Sequence, residues 1–365
     1  FIRSNDLTLL RSSKERGVLI YAHMARAWSI AAIKNFIPSP QEQGIVIALV
    51  LGVTDGIDDE LQGAYAASGA MHVLAVSGLH VSIIYGILLF FLKPLSRGTY
   101  GRGLVALLSL LVLWAYAFLT GLSPSVLRAV TMFSLVVLAK PMGETSSIYN
   151  TLAASAFLLL LYDPLLINSV GFQLSYLAVL GIVYLQRPIY NLWEAPTLLD
   201  WAWQLSCVTI AAQIATIALG LFYFHQFPVY FLLANLFVIP GSFVVLIGGI
   251  IQIIISPFTL PASWFGFLLG GFVKILNHGI FWVEQLPGSL VDGIYISATQ
   301  CCLLLLAILF FTQLFQLRKL RYLILAFGCT ILFSGLSWNR LISASPGFIV
   351  YHVPNHSAFM WFEKG

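Results

Sequence analysis

Charged residues are scarce in this sequence. Aspartate, glutamate, lysine and arginine together make up only 9% of the 365 residues, against about 25% in an ordinary soluble domain. Apolar residues make up 59%, and the mean hydropathy is +0.93. So little charge excludes a water-soluble globular protein, because such a protein needs a more polar surface. The composition predicts an all-α fold, a polytopic transmembrane helical bundle, since helices satisfy their own backbone hydrogen bonds in lipid.

Cysteines and potential metal ligands are also few. The four cysteines lie in apolar segments without CxxC spacing, which is typical of small core residues. His72 and His80 are separated by eight positions, without the i,i+4 interval of a helical metal site and without a carboxylate between them. We therefore predict no metal site and no cofactor.

Long apolar runs dominate what is present. A helix that crosses a bilayer needs about 20 largely apolar residues, and about ten segments approach this length. Pro240 and the glycine pairs at 248–249 and 270–271 interrupt the seventh and eighth segments. Lys274 and His278 further predict that the eighth is an angled or broken helix with a polar face. The predicted spans are residues 72–92, 103–121, 125–140, 148–162, 170–187, 201–224, 229–255, 262–285, 298–317 and 321–337.

The segments that flank these spans have a different character. Residues 18–37 are apolar but carry His23, Arg26 and Lys34, so we expect an amphipathic helix on the membrane surface with Arg26 facing water. Residues 347–362 read as strand, turn and strand. We expect three domains. Residues 1–43 form the end of an upstream exported domain and the surface helix, and residues 44–337 form the transmembrane domain. Residues 338–365 form the start of a truncated, β-containing exported domain.

The charges that remain predict the orientation of the chain. Lys93 and Arg102 follow the first span, and Arg187 ends the fifth. Asp58 and Asp292 lie at the opposite ends of the spans. Basic loops stay in the cytoplasm. With ten spans, both ends of this chain are then expected on the outer face of the membrane.

Polar residues inside the spans are the candidates for function. Such groups are costly in lipid, so they usually face a cavity, a partner helix or a substrate. Ser77 and His80 share one helix face at i,i+3 near the start of the first span. The pattern leaves open a pore lining, a helix-packing joint and an intramembrane hydrolase. The candidate site residues are His72, Ser77, Gly78, His80, Arg128, Gln173, Ser175, Gln213, His225 and Asn235.

A serine-hydrolase interpretation rests on Ser77. This residue is followed by Gly78, and His80 and His225 are the candidate bases. A serine and a histidine on one helix leave little room for attack on a substrate, and the sequence shows no set of oxyanion donors. A small-solute transporter that uses the same polar cluster is the other alternative.

Several short motifs, taken together, resemble the ComEC-type competence channels. The order and spacing match from about residue 52 to 240. The resemblance implies a bacterial inner-membrane channel that passes single-stranded DNA into the cytoplasm during natural transformation. It also implies a periplasmic DNA-binding receptor and a cytoplasmic motor or single-strand-binding proteins as partners. The motifs are His-Val-Leu-Ala-Val-Ser-Gly-Leu-His-Val at 72–81, Gly121-x-x-Pro-Ser-x-x-Arg-Ala129, Asp163-Pro164 before Gly171-Phe-Gln-Leu-Ser175, and Ala212-Gln213 before Phe224-His-Gln-Phe227 and Asn235.

The C-terminal segment departs from that family. This chain has Val350-Tyr-His-Val-Pro-Asn-His-Ser where the family's exported nuclease-like domain usually starts with a Leu-Asp-Val-Gly-Gln-Gly-Asp-like segment. A metal-dependent nuclease needs several converging acidic or histidine ligands. We therefore expect a transport channel without enzymatic activity.

Overall fold

The computed structural model describes residues 18–96, 98–139, 147–343, 347–353 and 356–362. The segment 1–17, expected to end an upstream domain, lies outside the described residues. Within the described part, fourteen α-helices and four short strands form the chain. They are α1 Val18–Phe36, α2 Pro40–Leu51, α3 Asp59–Ala67, α4 Met71–Leu74, α5 Gly78–Leu92, α6 Gly98–Leu119, α7 Pro124–Ala139, α8 Ile148–Tyr162, α9 Val170–Tyr190, α10 Thr197–Phe224, β1 Phe227–Pro228, α11 Phe231–Ile255, α12 Thr259–Glu284, β2 Leu290–Val291, α13 Ala298–Leu317, α14 Leu320–Ser343, β3 Gly347–Val353 and β4 His356–Phe362.

The helices confirm an all-α, multi-pass membrane protein. Among the described residues, seven helical segments are long and apolar enough to cross a membrane: α5 with the 3₁₀ turn after it, α6 and α10 to α14. The apolar helices α7 and α8 have 16 and 15 residues, fewer than the roughly 20 of a full span. Each of the ten predicted spans overlaps a helix, although the first is divided between α4 and α5, and the number of crossings stays a prediction.

Two compact units make up the chain. The first contains residues 1–212 and 226–292, and the second contains residues 213–225 and 293–365. In the first unit, β1 pairs antiparallel with β2. In the second unit, α13 packs against α14, and Ala218, Ile296 and Cys301 form a small buried cluster.

The short helix α2 lies in the core of the first unit. It begins with Pro40 in its first turn and ends at Gly52, whose φ of 71° allows its N–H to donate to the Ala48 carbonyl. Residues 44–51 are all buried. Gly249 of α11 packs directly against Val50. A 12-residue helix is too short to span a bilayer, and here neighbouring helices surround it instead.

The seventh and eighth predicted spans are continuous, which corrects the expectation of a broken eighth helix. Helix α11 runs for 25 residues and α12 for 26. Their glycines make room for side chains of the other helix: a Cβ at Gly241 would lie 2.6 Å from Leu276, and one at Gly248 would lie 2.8 Å from Leu269. Small residues let membrane helices approach closely, so these glycines serve packing and do not interrupt the helices.

Helix α1 anchors the first unit through its C-terminal half, where Ile33 is fully buried. Tyr21, Met24 and Trp28 are exposed. Arg26 was expected to face water, but it is half-buried. Its Nη2 donates a hydrogen bond to the Leu51 carbonyl at 3.3 Å. A cation at a helix C-terminus is favourable, so Arg26 stabilises the end of α2. The position of α1 on the membrane surface stays a prediction.

The predicted C-terminal strands are present. Strands β3 and β4 pair antiparallel from Gly347 opposite Phe362 to Val353 opposite His356. Residues 354–355, in the predicted turn, lie outside the described residues. Assignment of this hairpin to an exported domain stays a prediction.

Candidate functional site

The first predicted span is not one continuous helix. Helix α4 ends at Leu74, and Ala75 and Ser77 have extended backbones before α5 begins at Gly78. This corrects both the expected helix over 72–92 and the expected placement of Ser77 and His80 on one helix face. Ser77 is the N-cap of α5, and His80 is its third residue.

Ser77 and His80 form a reciprocal cap. The Ser77 hydroxyl accepts a hydrogen bond from the Leu79 N–H at 3.3 Å, while the Ser77 N–H donates to His80 Nδ1 at 3.0 Å. Glutamate or glutamine usually fills the role that His80 has in such a capping box. The arrangement satisfies backbone donors at a helix end that lies inside an apolar stretch.

The cap also fixes the proton on His80. Since Nδ1 accepts from a backbone N–H, the ring proton of the neutral histidine is on Nε2. The Ser77 hydroxyl oxygen lies 3.1 Å from the same Nδ1. His80 is 1% exposed, and its Nε2 is buried with no hydrogen-bond partner. A catalytic triad needs a third group that orients the base through its second nitrogen, and the described residues supply none.

His72 and Gly78 have separate roles beside the cap. His72 is exposed, and its Nδ1 lies 3.2 Å from the Gly69 carbonyl. Gly78 packs on Ala129: a Cβ added at Gly78 would meet the Ala129 Cβ at 3.8 Å. The start of α5 therefore packs against α7 at Ala129, the residue after Arg128.

Arg128 is the buried cation of the site. Its side chain is 4% exposed, and both Nε and Nη1 are buried without hydrogen-bond partners. A Cβ at Gly171 would lie 3.9 Å from Nη1, so the guanidinium faces the start of α9. Tyr176 on α9 is close enough to interact electrostatically with it, and the Tyr176 hydroxyl lies 3.0 Å from the hydroxyl of the buried Ser155. Arg128 on α7 is thus buried beside the start of α9.

Gln173 shapes the turn that leads into α9. Its Nε2 donates to the Ile167 carbonyl at 2.9 Å, across the 3₁₀ turn at Pro164–Asn168. Asp163 caps that turn through the Leu165 N–H, and Ser169 caps α9 through the Phe172 N–H. Ser175 is half-buried, one residue before Tyr176.

Asn235 completes the candidate residues of the first unit. It lies in the second turn of α11, is 4% exposed, and its Oδ1 is buried without a hydrogen-bond partner. The helix start is held close to the turn before α4, because a Cβ at Gly69 would lie 2.7 Å from the Phe231 Cβ. Asn235 therefore belongs to the helix that packs against the His72 region.

Gln213 and His225 belong to the second unit. Gln213 is half-buried in α10. His225 follows the end of this helix with a φ of 57°, and its carbonyl accepts a hydrogen bond from the Ile294 N–H at 2.9 Å. Its ring packs on Tyr295 with centroids 4.5 Å apart. Here the histidine terminates a helix and joins it to the segment before α13.

Sequence reasoning missed Ser155 and its contact with the Tyr176 hydroxyl. Ser155 is an isolated hydroxyl in the apolar run of α8, which by itself is typical of helix packing. Sequence reasoning also missed the buried pair formed by Tyr65, whose hydroxyl donates to Asn277 Oδ1 at 3.1 Å. Ser155 and Tyr176 are 21 residues apart in the chain, and Tyr65 and Asn277 are 212 residues apart. Sequence spacing therefore does not predict either contact.

No metal site emerges from the residues that the structure describes. Among them, no three histidine, cysteine, aspartate or glutamate side chains are grouped so that they could hold an ion. The four cysteines are free. The chemistry available at the site is hydrogen-bond donation, one permanent cation and a buried imidazole.

Comparison with known proteins identifies the family. The family model described as "Competence protein" matches residues 49–320. The chain belongs to the Competence protein family. This match includes nine of the ten expected spans in full, and every candidate site residue lies within it.

Three curated proteins show how far the similarity extends. ComE operon protein 3 of Bacillus subtilis is 29% identical over 288 residues, which cover 79% of this chain and 35% of the relative. Recombination protein 2 of Haemophilus influenzae is 25% identical over 301 residues, 80% of this chain and 36% of the relative. The uncharacterized protein YcaI of Escherichia coli is 23% identical over 229 residues, 59% of this chain and 29% of the relative. The chain spans about a third of the length of these relatives, and no solved structure matches it.

Proposed function

We propose that this chain forms the channel that carries single-stranded DNA across the bacterial inner membrane during natural transformation. Membership of the Competence protein family supports a role in DNA uptake, and one relative is named Recombination protein 2. The apolar helices supply the multi-pass framework that such a channel needs. The single observation that carries the proposal is the environment of Arg128.

An arginine in this position requires an anion or water. Burial of a cation is costly unless it is paired and hydrogen-bonded, yet Nε and Nη1 of Arg128 have no hydrogen-bond partner. A phosphate diester matches a guanidinium in charge and can accept two parallel N–H bonds. We assign Arg128 as the phosphate contact of the DNA path, with Tyr176 and Ser155 positioning it.

The other candidate residues suit a path that binds DNA weakly. Many fixed cations would trap a polyanion, because each phosphate contact adds affinity. Asn235 and His80 present buried polar atoms without charge. In our proposal, the capped start of α5, with His72, Ser77 and Gly78, shapes the path in the first unit together with Gln173 and Ser175. Gln213 and His225, which belong to the second unit, stay candidate residues on the evidence of the sequence alone.

Substitution of Arg128 tests the channel directly. A hydrogen bond to a charged group contributes about 1.5–3 kcal/mol, so we expect Arg128→Gln to reduce transformation roughly tenfold to a hundredfold. Arg128→Lys retains the charge without the planar fork and should give an intermediate loss. The matched control is Arg187→Gln, which removes an exposed arginine from the last turn of α9.

The readout is the transformation frequency at equal membrane abundance, together with DNA retained outside the cell. The channel predicts normal external binding and loss of import for Arg128→Gln alone. Wild-type transformation by a normally inserted Arg128→Gln protein would overturn the assignment.

An intramembrane serine hydrolase is the second candidate, favoured by the 3.1 Å separation of the Ser77 hydroxyl from His80 Nδ1. The missing orienting group at Nε2 makes it the weaker proposal. Covalent labelling of Ser77 by a fluorophosphonate probe in purified protein would support the hydrolase, whereas absence of labelling supports the cap.

The proposed setting follows from the channel. We place the protein in the inner membrane with both ends of this chain on the periplasmic side. DNA would arrive from a periplasmic DNA-binding receptor and leave to a cytoplasmic motor or single-strand-binding proteins. Basic residues after alternate spans support this orientation.

A further inference from the structure

We propose that helices α5 and α6 hold a binding site for the phosphate headgroup of an anionic phospholipid, separate from the DNA path. A cavity of about 330 Å³ opens between these helices and α7. This volume is roughly ten times the share of one water molecule in the liquid. The lining residues are Tyr85, Leu89, Lys93, Ser96, Arg102, Val105, Ala106, Ser109 and Val137.

The lining residues form two parallel rows. Each row has a basic residue at one end and a hydroxyl-bearing residue at the other. On α5 and the turn after it, Lys93, Leu89 and Tyr85 recur every four residues, and on α6 the sequence Arg102, Val105/Ala106 and Ser109 recurs every three or four. Such spacings place residues on one helix face. From Arg102 to Ser109 the helix rises about 10 Å. Both rows therefore put a cation at the mouth, apolar side chains in the middle and a hydroxyl at the inner end.

The inner end supplies an independent indication of a ligand. Ser109 is 1% exposed, and its hydroxyl is buried without a hydrogen-bond partner. Buried hydroxyls are normally satisfied, and most serines in the described helices of this chain donate to a carbonyl of the preceding turn, as Ser82 does to Leu79. The Ser109 hydroxyl is instead available to a glycerol or ester oxygen that enters the cavity.

The chemistry of the walls selects a lipid over a soluble anion. Lys93 and Arg102 are exposed at the mouth, where they can meet a phosphate. Below them the wall is aliphatic, formed by Leu89, Val105 and Val137. A free phosphate or a DNA strand would gain nothing from that wall, whereas the glycerol and first methylenes of a lipid would be buried by it.

The location is consistent with this ligand. Lys93 and Arg102 are the same basic residues that predict a cytoplasmic end for the first two spans. Anionic lipids attract basic residues at that surface. The acyl chains would continue along the exposed lipid-facing side of α6, where Leu107 and Leu111 lie.

Lipid binding by the purified full chain tests the site. The probes are dioleoylphosphatidylglycerol and dioleoylphosphatidylcholine, added to detergent-solubilised protein and counted as retained molecules by native mass spectrometry. The double variant Lys93→Gln/Arg102→Gln is compared with Lys319→Gln/Arg321→Gln, which removes the same charge at the start of α14 and outside the cavity. We expect about fivefold weaker phosphatidylglycerol binding for each cavity cation removed, hence about twenty-five-fold for the pair, and no change in the control.

Two further measurements complete the test: one on a third variant and one on the wild-type protein alone. Ser109→Leu fills the inner end and should also weaken binding of phosphatidylglycerol while leaving the cations in place. If the double variant does not fold, the wild-type protein alone must still prefer phosphatidylglycerol to phosphatidylcholine. Equal retention of both lipids, equal losses in cavity and control variants, or full displacement by equimolar inorganic phosphate or a single-stranded oligonucleotide would each overturn the lipid site.

Discussion

Substitution of Ser77 separates its structural role from a chemical one. The hydroxyl accepts the Leu79 N–H and lies 3.1 Å from His80 Nδ1. Loss of an N-cap oxygen costs about 1 kcal/mol, and the Ser77 N–H still binds His80 in any variant. We therefore expect Ser77→Ala to lower the free energy of unfolding by about 1 kcal/mol. Ser77→Asn retains an acceptor oxygen without a nucleophile, and it should recover most of that loss.

The assay combines stability and function. Denaturant unfolding of protein in detergent micelles, followed by far-UV circular dichroism, measures the cap. Transformation frequency, normalised to protein in the membrane, measures function. A cap predicts that Ser77→Asn is stable and active, and that Ser77→Ala loses activity only in proportion to its abundance.

Two results would refute this reasoning. If Ser77→Ala unfolds at the same denaturant concentration as the wild type, the hydroxyl does not stabilise the start of α5. If Ser77→Asn is as stable as the wild type but inactive, the nucleophilic hydroxyl itself is required, and the hydrolase interpretation replaces the cap.

Three further predictions concern topology, packing and chemistry. Reporters fused after Arg102 should be cytoplasmic and those fused at Gly347 exported; a cytoplasmic Gly347 fusion would mean that one expected span does not cross. Gly249→Ala should cost about 1–3 kcal/mol by overpacking against Val50, whereas Gly271→Ala, which meets no atom within 4 Å, should leave detergent unfolding unchanged. We expect purified protein to leave labelled DNA intact in Mn²⁺, Mg²⁺ or Zn²⁺; metal-dependent cleavage by the chain would show that the expectation of a channel without nuclease activity is wrong.

The helix ends that follow local rules were predictable from the sequence. Helix α8 covers the predicted 148–162, because Asp163-Pro164 cannot continue it. Helix α13 covers the predicted 298–317, because Ser297 and Gln300 form a standard capping box at its start. In both cases the signal lies within four residues of the boundary.

The break before α5 lacked such a signal. Residues 73–76 are all apolar, and His80 is an unusual partner for a capping serine. A run of this composition reads as a continuous helix. The sequence does not show that Val76 packs against Gly52. A Cβ added at Gly52 would lie 3.2 Å from Val76 Cγ2. That contact joins the break to the end of α2, 24 residues earlier in the chain.

The same limit applies to the candidate site. The sequence indicated that polar groups inside a span need a cavity, a partner helix or a substrate, but it could not show the contact between Ser155 and Tyr176. Contacts between helices depend on how α7, α8 and α9 pack. The structure adds a reason for the cluster of small residues around Arg128. Gly78 and Ala129 bring α5 onto one side of α7, and Gly171 leaves space beside Nη1 on another. These small residues therefore let α5 and α9 pack close to α7 around the buried charge, while the cap at Ser77 fixes the start of α5.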